Sequence, residues 1–333
     1  MDATMKTTLL ATTLLMSPLL KAQELSEYDQ CLLTTTKSHS GEMTIDQVRE
    51  RCQSMSEQPA PAEQEDLLSQ RRESEKSTEF RPFVMTAHRM NYILPIVYTD
   101  SINRKAYEDT GWADGLRKAE SEFQISFKVP LNYTDLLFED DALFFGFTLR
   151  SYWQVYSESI SRPFRETDYQ PELFYFTPTR WQPFGGNTWL GFGIEHQSNG
   201  QRQNLSRSWN RIYASLTYEK NRLALNLRPW WRIPEKDKTS ADDPNGDDNP
   251  DILDYMGHFE LTGAYKWDDL AINFTGRENF ATNKGYAELG LTFPIWGKVR
   301  GYAKYSTGYG ENLIDYNHNQ QRFGLGIAIT DLL

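Results

Sequence analysis

Cysteine and histidine are scarce: two and five in 333 residues. Long apolar runs are scarcer still. After the N-terminus no stretch reaches the roughly 18 consecutive apolar residues that a membrane-spanning helix needs, and the mean hydropathy is −0.65. Together these exclude a helical membrane protein. Basic charge is also in deficit. The formal net charge is −11, which excludes nucleic acid as a partner and leaves lipid head groups and divalent cations open. His39, His88, His258 and His318 have no partners at metal-ligand spacing, so they read as structural or surface residues. Cys31 and Cys52 both fall early, outside any strand assigned here. A structural disulfide between them is the expectation in an oxidising compartment, with two free thiols as the alternative.

What is abundant is aromatic: 18 Tyr, 18 Phe and 9 Trp. A transmembrane β-barrel reconciles many rings with a polar average. Its strands are apolar on one side only, and girdles of aromatic residues ring both of its edges. The N-terminus reads as a signal peptide over 1–22, with Lys6, the apolar run Leu9 to Leu20 and the small residue Ala22. A short anchoring helix is the alternative. Residues 23–80 are polar and read as a periplasmic segment. A helix capped by Thr44 is expected through Arg51, and another over 62–76.

From Phe83 the texture turns to strands. They are expected near 83–98, 122–133, 141–156, 171–179, 188–199, 206–220, 222–233, 252–267, 269–278, 285–296, 299–310 and 321–332. That is an all-β chain: a twelve-stranded antiparallel transmembrane barrel over 81–333, with tight turns at 220–221, 267–268 and 297–298. Between them lie polar loops at 99–121, 157–170, 234–251, 279–284 and 311–320, read as external. Leu143, Phe145, Phe147 and Leu149 alternate with Phe144, Gly146, Thr148 and Arg150, as one lipid face and one lumen face require. A soluble sandwich shows the same period. It explains neither the export signal nor the two loop lengths.

One hairpin departs from plain patterning. Period 2 puts Leu190, Phe192, Ile194, His196 and Ser198 on one face, and Ser206, Ser208, Asn210 and Ile212 on the same face of the next strand. If 200–206 is the tip, a symmetric register sets His196 opposite Asn210, within side-chain reach. A nucleophile, a base and a group that orients the base are what acyl transfer needs. Polar groups on a lipid-facing wall are costly, and ordinary interfacial polarity is the alternative explanation. Trp153 lies on this same wall, as a groove residue or a girdle aromatic. The alternative function is a non-enzymatic barrel, a porin or structural protein. The lumen of such a barrel would conduct, whereas inward Arg207, Arg211, Glu219 and Arg228 would instead plug a small one.

The segments His196-Gln197-Ser198-Asn199-Gly200 and Ser206-Arg207-Ser208-Trp209-Asn210-Arg211 resemble the signature of the outer membrane phospholipase A family. So do Pro163 to Thr167, Asp247 to Asp251, and Tyr309 to Asn317. The resemblance spans roughly residues 80 to 333. It implies a calcium-dependent, twelve-stranded lipase of the bacterial outer membrane, active as a homodimer on sn-1 and sn-2 acyl esters of phospholipids. It further implies Ser198 as nucleophile, His196 as base and Asn210 as orienter, with the Gly200 amide in the oxyanion hole. The implied calcium ligands are the Ser206 hydroxyl, the Gln201 carbonyl (arginine is usual there) and the partner subunit's Ser161. A second calcium position of the family falls on Asp248 and on Gln203, which is uncharged. The Asp-rich loop 242–251 lacks the spacing of an EF-hand, and a solvated loop is its other reading. The family's C-terminal aromatic is Leu333 here.

Overall fold

The structure is a computed structural model. It describes residues 27–38, 44, 46–49, 52, 66–78, 80, 81, 84–240, 243, 246–297 and 299–330. The expected signal peptide, His39, Arg51, Asp242 and Leu333 lie outside the described residues. The chain divides into two compact units, 1–63 and 64–333.

In the first unit, helix α1 (Glu27–Ser38) carries Cys31. Cys31 is disulfide-bonded to Cys52, with Cα atoms 5.7 Å apart. Thr44 and Gln47 bond each other's backbone amides at 3.4 and 3.0 Å. That reciprocal pair caps the helical turn at 46–49.

The second unit is a closed antiparallel barrel. Its strands are β1 (Asn91–Thr99), β2 (Ala119–Pro130), β3 (Ala142–Trp153), β4 (Phe164–Pro178), β5 (Asn187–Ser198) and β6 (Ser208–Lys220). They continue with β7 (Leu223–Arg232), β8 (Phe259–Trp267), β9 (Leu270–Asn279), β10 (Lys284–Trp296), β11 (Val299–Gly308) and β12 (Gln320–Thr330). Each strand pairs with the next, and β12 pairs with β1 to close the ring. A two-residue segment, Thr86–Ala87, pairs on β2. Closure leaves no open sheet edge in the hydrocarbon layer. No helix among the described residues is long and apolar enough to cross a membrane.

Side-chain parity follows the expected alternation. On β5 Leu190, Phe192 and Ile194 are exposed, while Trp189 and Glu195 are buried. Gly193 faces inward because Tyr213 fills its space: a Cβ there would lie 2.5 Å from the Tyr213 Cζ.

The lumen is filled, chiefly by charge. Arg322 pairs with Glu120 at 2.7 Å and Glu122 at 3.1 Å, and Arg150 with Glu311 at 2.6 Å. Lys304 reaches Glu311 at 3.2 Å, and Arg165 reaches Glu120 at 2.6 Å. Nearer β5, Arg211 pairs with Glu195, Arg228 with Glu195 at 3.2 Å, and His88 with Glu172 at 2.8 Å. Helix α2 (Leu67–Lys76) belongs to this unit. Its Leu68 and Ser69 amides donate to Glu219, and its Glu75 pairs with Lys128 at 2.9 Å. Leu68, Arg71 and Arg72 then line the inner cavity of about 420 Å³.

Three elements differ from the sequence expectation. Residues 311–316 are not a solvated loop. All six are buried inside the external mouth, where Glu311 and Asp315 meet the lumen's bases. Strand β4 starts at Phe164 rather than 171. Its first turnful of polar residues looks like loop, but Arg165, Glu166 and Asp168 are buried lumen-facing groups. Residues Ile252–Met256 form a short helix, α3, instead of opening β8. Ile252 and Met256 share its buried side at i and i+4.

Candidate functional site

The site stands on the β5–β6 hairpin, at the end where the chain turns through 199–207. The register pairs Ile194 with Ile212, His196 with Asn210 and Ser198 with Ser208. Even-numbered residues therefore share the outer face, and His196 is exposed on it. His196 Nδ1 lies 2.8 Å from Asn210 Oδ1. A carbonyl oxygen only accepts, so Nδ1 carries the proton and Nε2 keeps its lone pair. Ser198 is half-buried on the same face, with Tyr169 of β4 opposite it on the other side. Its hydroxyl makes no hydrogen bond among the described residues, which leaves it free to turn toward the imidazole or outward.

The tip is held by a residue that patterning did not single out. Asn199 is buried, and its Oδ1 accepts from the Gln201 amide at 3.2 Å and the Arg207 amide at 3.0 Å. Its Nδ2 donates to the Leu205 carbonyl at 2.7 Å and to Glu166 at 3.3 Å. One side chain thus closes the loop on itself and ties it to β4. Between these anchors Gly200 adopts φ +64°, a conformation costly for residues with a Cβ.

The residues expected to hold calcium divide into two sets. Gln201 and Ser206 sit on this same loop, and Ser161 is exposed on the 154–163 loop with φ +61°. Their donors are neutral oxygens of the kind calcium accepts. No group of three or more acidic, histidine or cysteine side chains at metal-binding spacing exists among the described residues. Any cation here would depend on hydroxyls, carbonyls and water, so an oxygen from a second copy would matter.

Asp248 behaves differently. Its carboxylate accepts the Ser206 hydroxyl at 2.7 Å and is paired with the Lys238 ammonium. Lys238 already supplies the positive charge, and position 203 is a glutamine. The Asp248 carboxylate is thus already ion-paired and hydrogen-bonded.

The acidic loop is not freely solvated. Asp247 pairs with Arg232, and Asn249, fully buried, accepts the Ser208 amide at 3.0 Å. The Asp251 carboxylate accepts the Tyr316 hydroxyl. Residues 246–251 therefore lie against the hairpin and the 311–316 plug. Glu235 is a second residue that sequence reasoning missed. It accepts the Asn210 Nδ2 at 2.9 Å. Trp153 stacks on Phe164 with centroids 5.1 Å apart, and its Nε1 donates to the Arg162 carbonyl at 3.0 Å. Of the remaining histidines, His88 is paired inside the lumen, His318 contacts Ser101 at 3.2 Å and His258 is exposed.

A closed β-barrel that carries a polar cluster on its outward, otherwise apolar wall defines the class: a transmembrane barrel whose site faces lipid. Comparison with known proteins narrows this. The family model described as phospholipase A1 matches residues 68–329. Phospholipase A1 of Klebsiella pneumoniae is 38% identical over 253 residues, covering 75% of this chain and 84% of that protein. Phospholipase A1 of Escherichia coli K12 is also 38% identical, covering 75% and 83%. Among solved structures, outer membrane phospholipase A of Escherichia coli gives a TM-score of 0.70 at 37% identity, covering 76% of this chain and 95% of that one. The outer membrane phospholipase of Salmonella typhi, solved as a dimer with bound calcium, gives 0.71 at 34%, covering 78% and 97%. The chain belongs to the phospholipase A1 family.

Proposed function

We propose that this chain is an outer-membrane phospholipase that hydrolyses acyl ester bonds of glycerophospholipids and lysophospholipids, at both sn-1 and sn-2. The observation that carries the reading is the 2.8 Å bond between His196 and Asn210, two positions from Ser198 on an exposed outer face. Family membership supports the reaction class. A porin needs an open lumen, whereas this one is lined by charged side chains paired with one another, such as Arg322 with Glu120 and Arg150 with Glu311.

Ser198 attacks the ester carbonyl while His196 Nε2 takes its proton. Asn210 holds Nδ1–H and so keeps the ring in the tautomer that can act as base. The Gly200 amide donates to the oxyanion, its direction set by the left-handed backbone. His196 then passes the proton to the departing alcohol oxygen. Water, deprotonated by the same imidazole, releases the fatty acid from Ser198.

Calcium is the expected cofactor, held by the Gln201 carbonyl, the Ser206 hydroxyl and the partner subunit's Ser161. When bound it would add positive field beside the oxyanion. A homodimer formed across the apolar outer walls completes that ligand set, and Trp153 and Phe164 belong to the wall that would meet acyl chains. Exposed Phe192, Ile194 and Ile212 flank the trio and present the bilayer-facing surface on which a phospholipid arrives.

The test is hydrolysis of phosphatidylcholine in mixed micelles by the purified full chain, with calcium and with chelator. Ser198→Ala is expected to lose activity to background, and chelation to suppress the parent. Full activity in Ser198→Ala would sink the proposal. Undiminished turnover under chelation would sink its calcium component alone.

A further inference from the structure

We infer that Glu235 is a positioning residue of this site: its carboxylate fixes the Asn210 amide so that oxygen, not nitrogen, faces His196. The inference rests on the acyl-hydrolase reading above.

Asn210 is pinned from two sides. Its Oδ1 lies 2.8 Å from His196 Nδ1, and its Nδ2 donates to Glu235 Oε1 at 2.9 Å. An amide has two orientations related by a half-turn, and they differ only in which group meets which partner. In the observed one every contact pairs a donor with an acceptor. In the other, the amide oxygen would face a carboxylate, acceptor against acceptor. The amide NH₂ would then meet His196 and demand a lone pair on Nδ1. That would move the ring proton to Nε2, the atom that must receive the proton of Ser198. A carboxylate cannot donate, so Glu235 discriminates against the unproductive tautomer through Asn210.

The backbone places Glu235 for this task. The Ile233 amide donates to the Asn210 carbonyl at 2.8 Å, extending the β6–β7 pairing one residue past Arg232. Pro234 then fixes its own φ and biases Ile233 toward extended backbone. The chain therefore leaves β7 in a set direction, with Glu235 beside Asn210.

A second consequence is electrostatic. Asparagine lacks the charge that an aspartate would bring to a proton-accepting histidine. Glu235 returns that charge one hydrogen bond further out, where it favours the imidazolium that forms as Ser198 is deprotonated. Of the other charged groups near this end of the hairpin, Lys238 is paired with Asp248 and Arg232 with Asp247, Arg207 donates to the Asn204 and Ser206 carbonyls, and Glu166 accepts from Asn199. Tyr169 of β4 is the titratable side chain opposite Ser198. Among the described residues, Glu235 is the one carboxylate hydrogen-bonded to the His196–Asn210 pair.

The experiment compares Glu235→Gln, Glu235→Ala and Glu235→Asp with the parent, in full-length protein and phosphatidylcholine mixed micelles. It reads kcat, KM, the pH profile of kcat/KM and the rate of Ser198 labelling by a fluorophosphonate. Glutamine can donate as well as accept, so it no longer selects the amide orientation. Glu235→Gln and Glu235→Ala are expected to lose roughly tenfold or more in kcat, the scale of one charge-assisted hydrogen bond, with KM within about twofold. Labelling should slow in parallel. The acid limb of the profile should move to lower pH, because loss of a nearby negative charge makes the imidazolium less favourable. Glu235→Asp, which keeps an acceptor-only partner, should retain most activity. Parent-like kcat and acid limb in Glu235→Gln and Glu235→Ala, with Ser198→Ala inactive, would overturn the inference and leave the hydrolase reading standing. Equal losses in all three variants with an unmoved acid limb would mark a structural role and overturn it too. A parent inert toward every acyl ester offered would remove the hydrolase reading first.

Discussion

Arg165 and Asp315 meet at 2.9 Å with both side chains about 1% exposed, although 150 residues separate them in the chain. The pair joins the start of β4 to the plug that closes the external mouth. Burial by itself would raise the Asp315 pKa, but the charge and hydrogen bond of Arg165 outweigh it and hold the carboxyl below its ordinary value. A depressed folded-state pKa stabilises the fold above the unfolded value near 4. That contribution disappears as pH falls through the folded value. Acidification below about pH 4 is therefore expected to loosen the plug. Asp315→Asn should be less stable than the parent at neutral pH and should lose less on acidification. Arg165→Ala leaves buried Asp315 without its guanidinium partner, while Glu120 keeps Arg322, and should cost about 3–5 kcal/mol. Thermal unfolding in detergent micelles across pH checks all three. Parallel pH curves for parent and Asp315→Asn would contradict the assignment.

Asn199 is the second structural test. Replacing it with alanine removes four hydrogen bonds at the hairpin tip and leaves the Gln201 and Arg207 amides without their acceptor. The expected cost is about 1–3 kcal/mol. Activity should fall further than stability, because Gly200, Gln201 and Ser206 all ride on this loop. A variant with parent-like turnover and lowered melting temperature would separate the loop from the chemistry.

Gly200 is expected to resist substitution for a backbone reason. An alanine at φ +64° costs roughly 1–2 kcal/mol, and its Cβ would lie 3.4 Å from Tyr169 Cε2. Relief of that strain rotates the amide away from the proposed oxyanion position. Gly200→Ala should lower kcat by about tenfold or more while melting within a few degrees of the parent. Steady-state kinetics alongside a melting curve would reveal the opposite order, if it holds.

Calcium stoichiometry addresses Asp248. Its carboxylate is occupied by Lys238 and Ser206, so calorimetric titration of the dimer should find one calcium per chain. Lys238→Ala frees the carboxylate and is expected to add a weak second event. Two calcium ions per chain in the parent would contradict the pairing.

The hairpin was legible for a definite reason. A strand's period of 2 fixes which residues share a face, and a short tip fixes the register. His196, Ser198 and Asn210 could therefore be brought together from spacing alone. Calcium ligation, the Gly200 amide and the dimer were legible only through resemblance, because a carbonyl or a hydroxyl leaves no pattern in a sequence.

Two of the three differing elements share one cause. Arg165, Glu166 and Asp168 look like loop residues because polar side chains usually seek water. Here they are buried in strand β4, paired within the lumen or bonded to the plug. Residues 311–316 read as solvent-facing loop on the same ground. Ile252 and Met256 carry a helical spacing too short to stand out between an acidic loop and a strand.

Local alternation and a tight turn already specify the barrel, the strand parity and the trio on its outer wall. What supports them comes together only on folding. Glu235 reaches Asn210 across 25 residues. Lys238 takes the charge of Asp248, and Asn199 and Glu166 lock the tip across 33 residues. Charge pairing and hydrogen bonding have no period. They depend on which side chains folding brings within hydrogen-bond reach, and that distance exists only once the chain has folded.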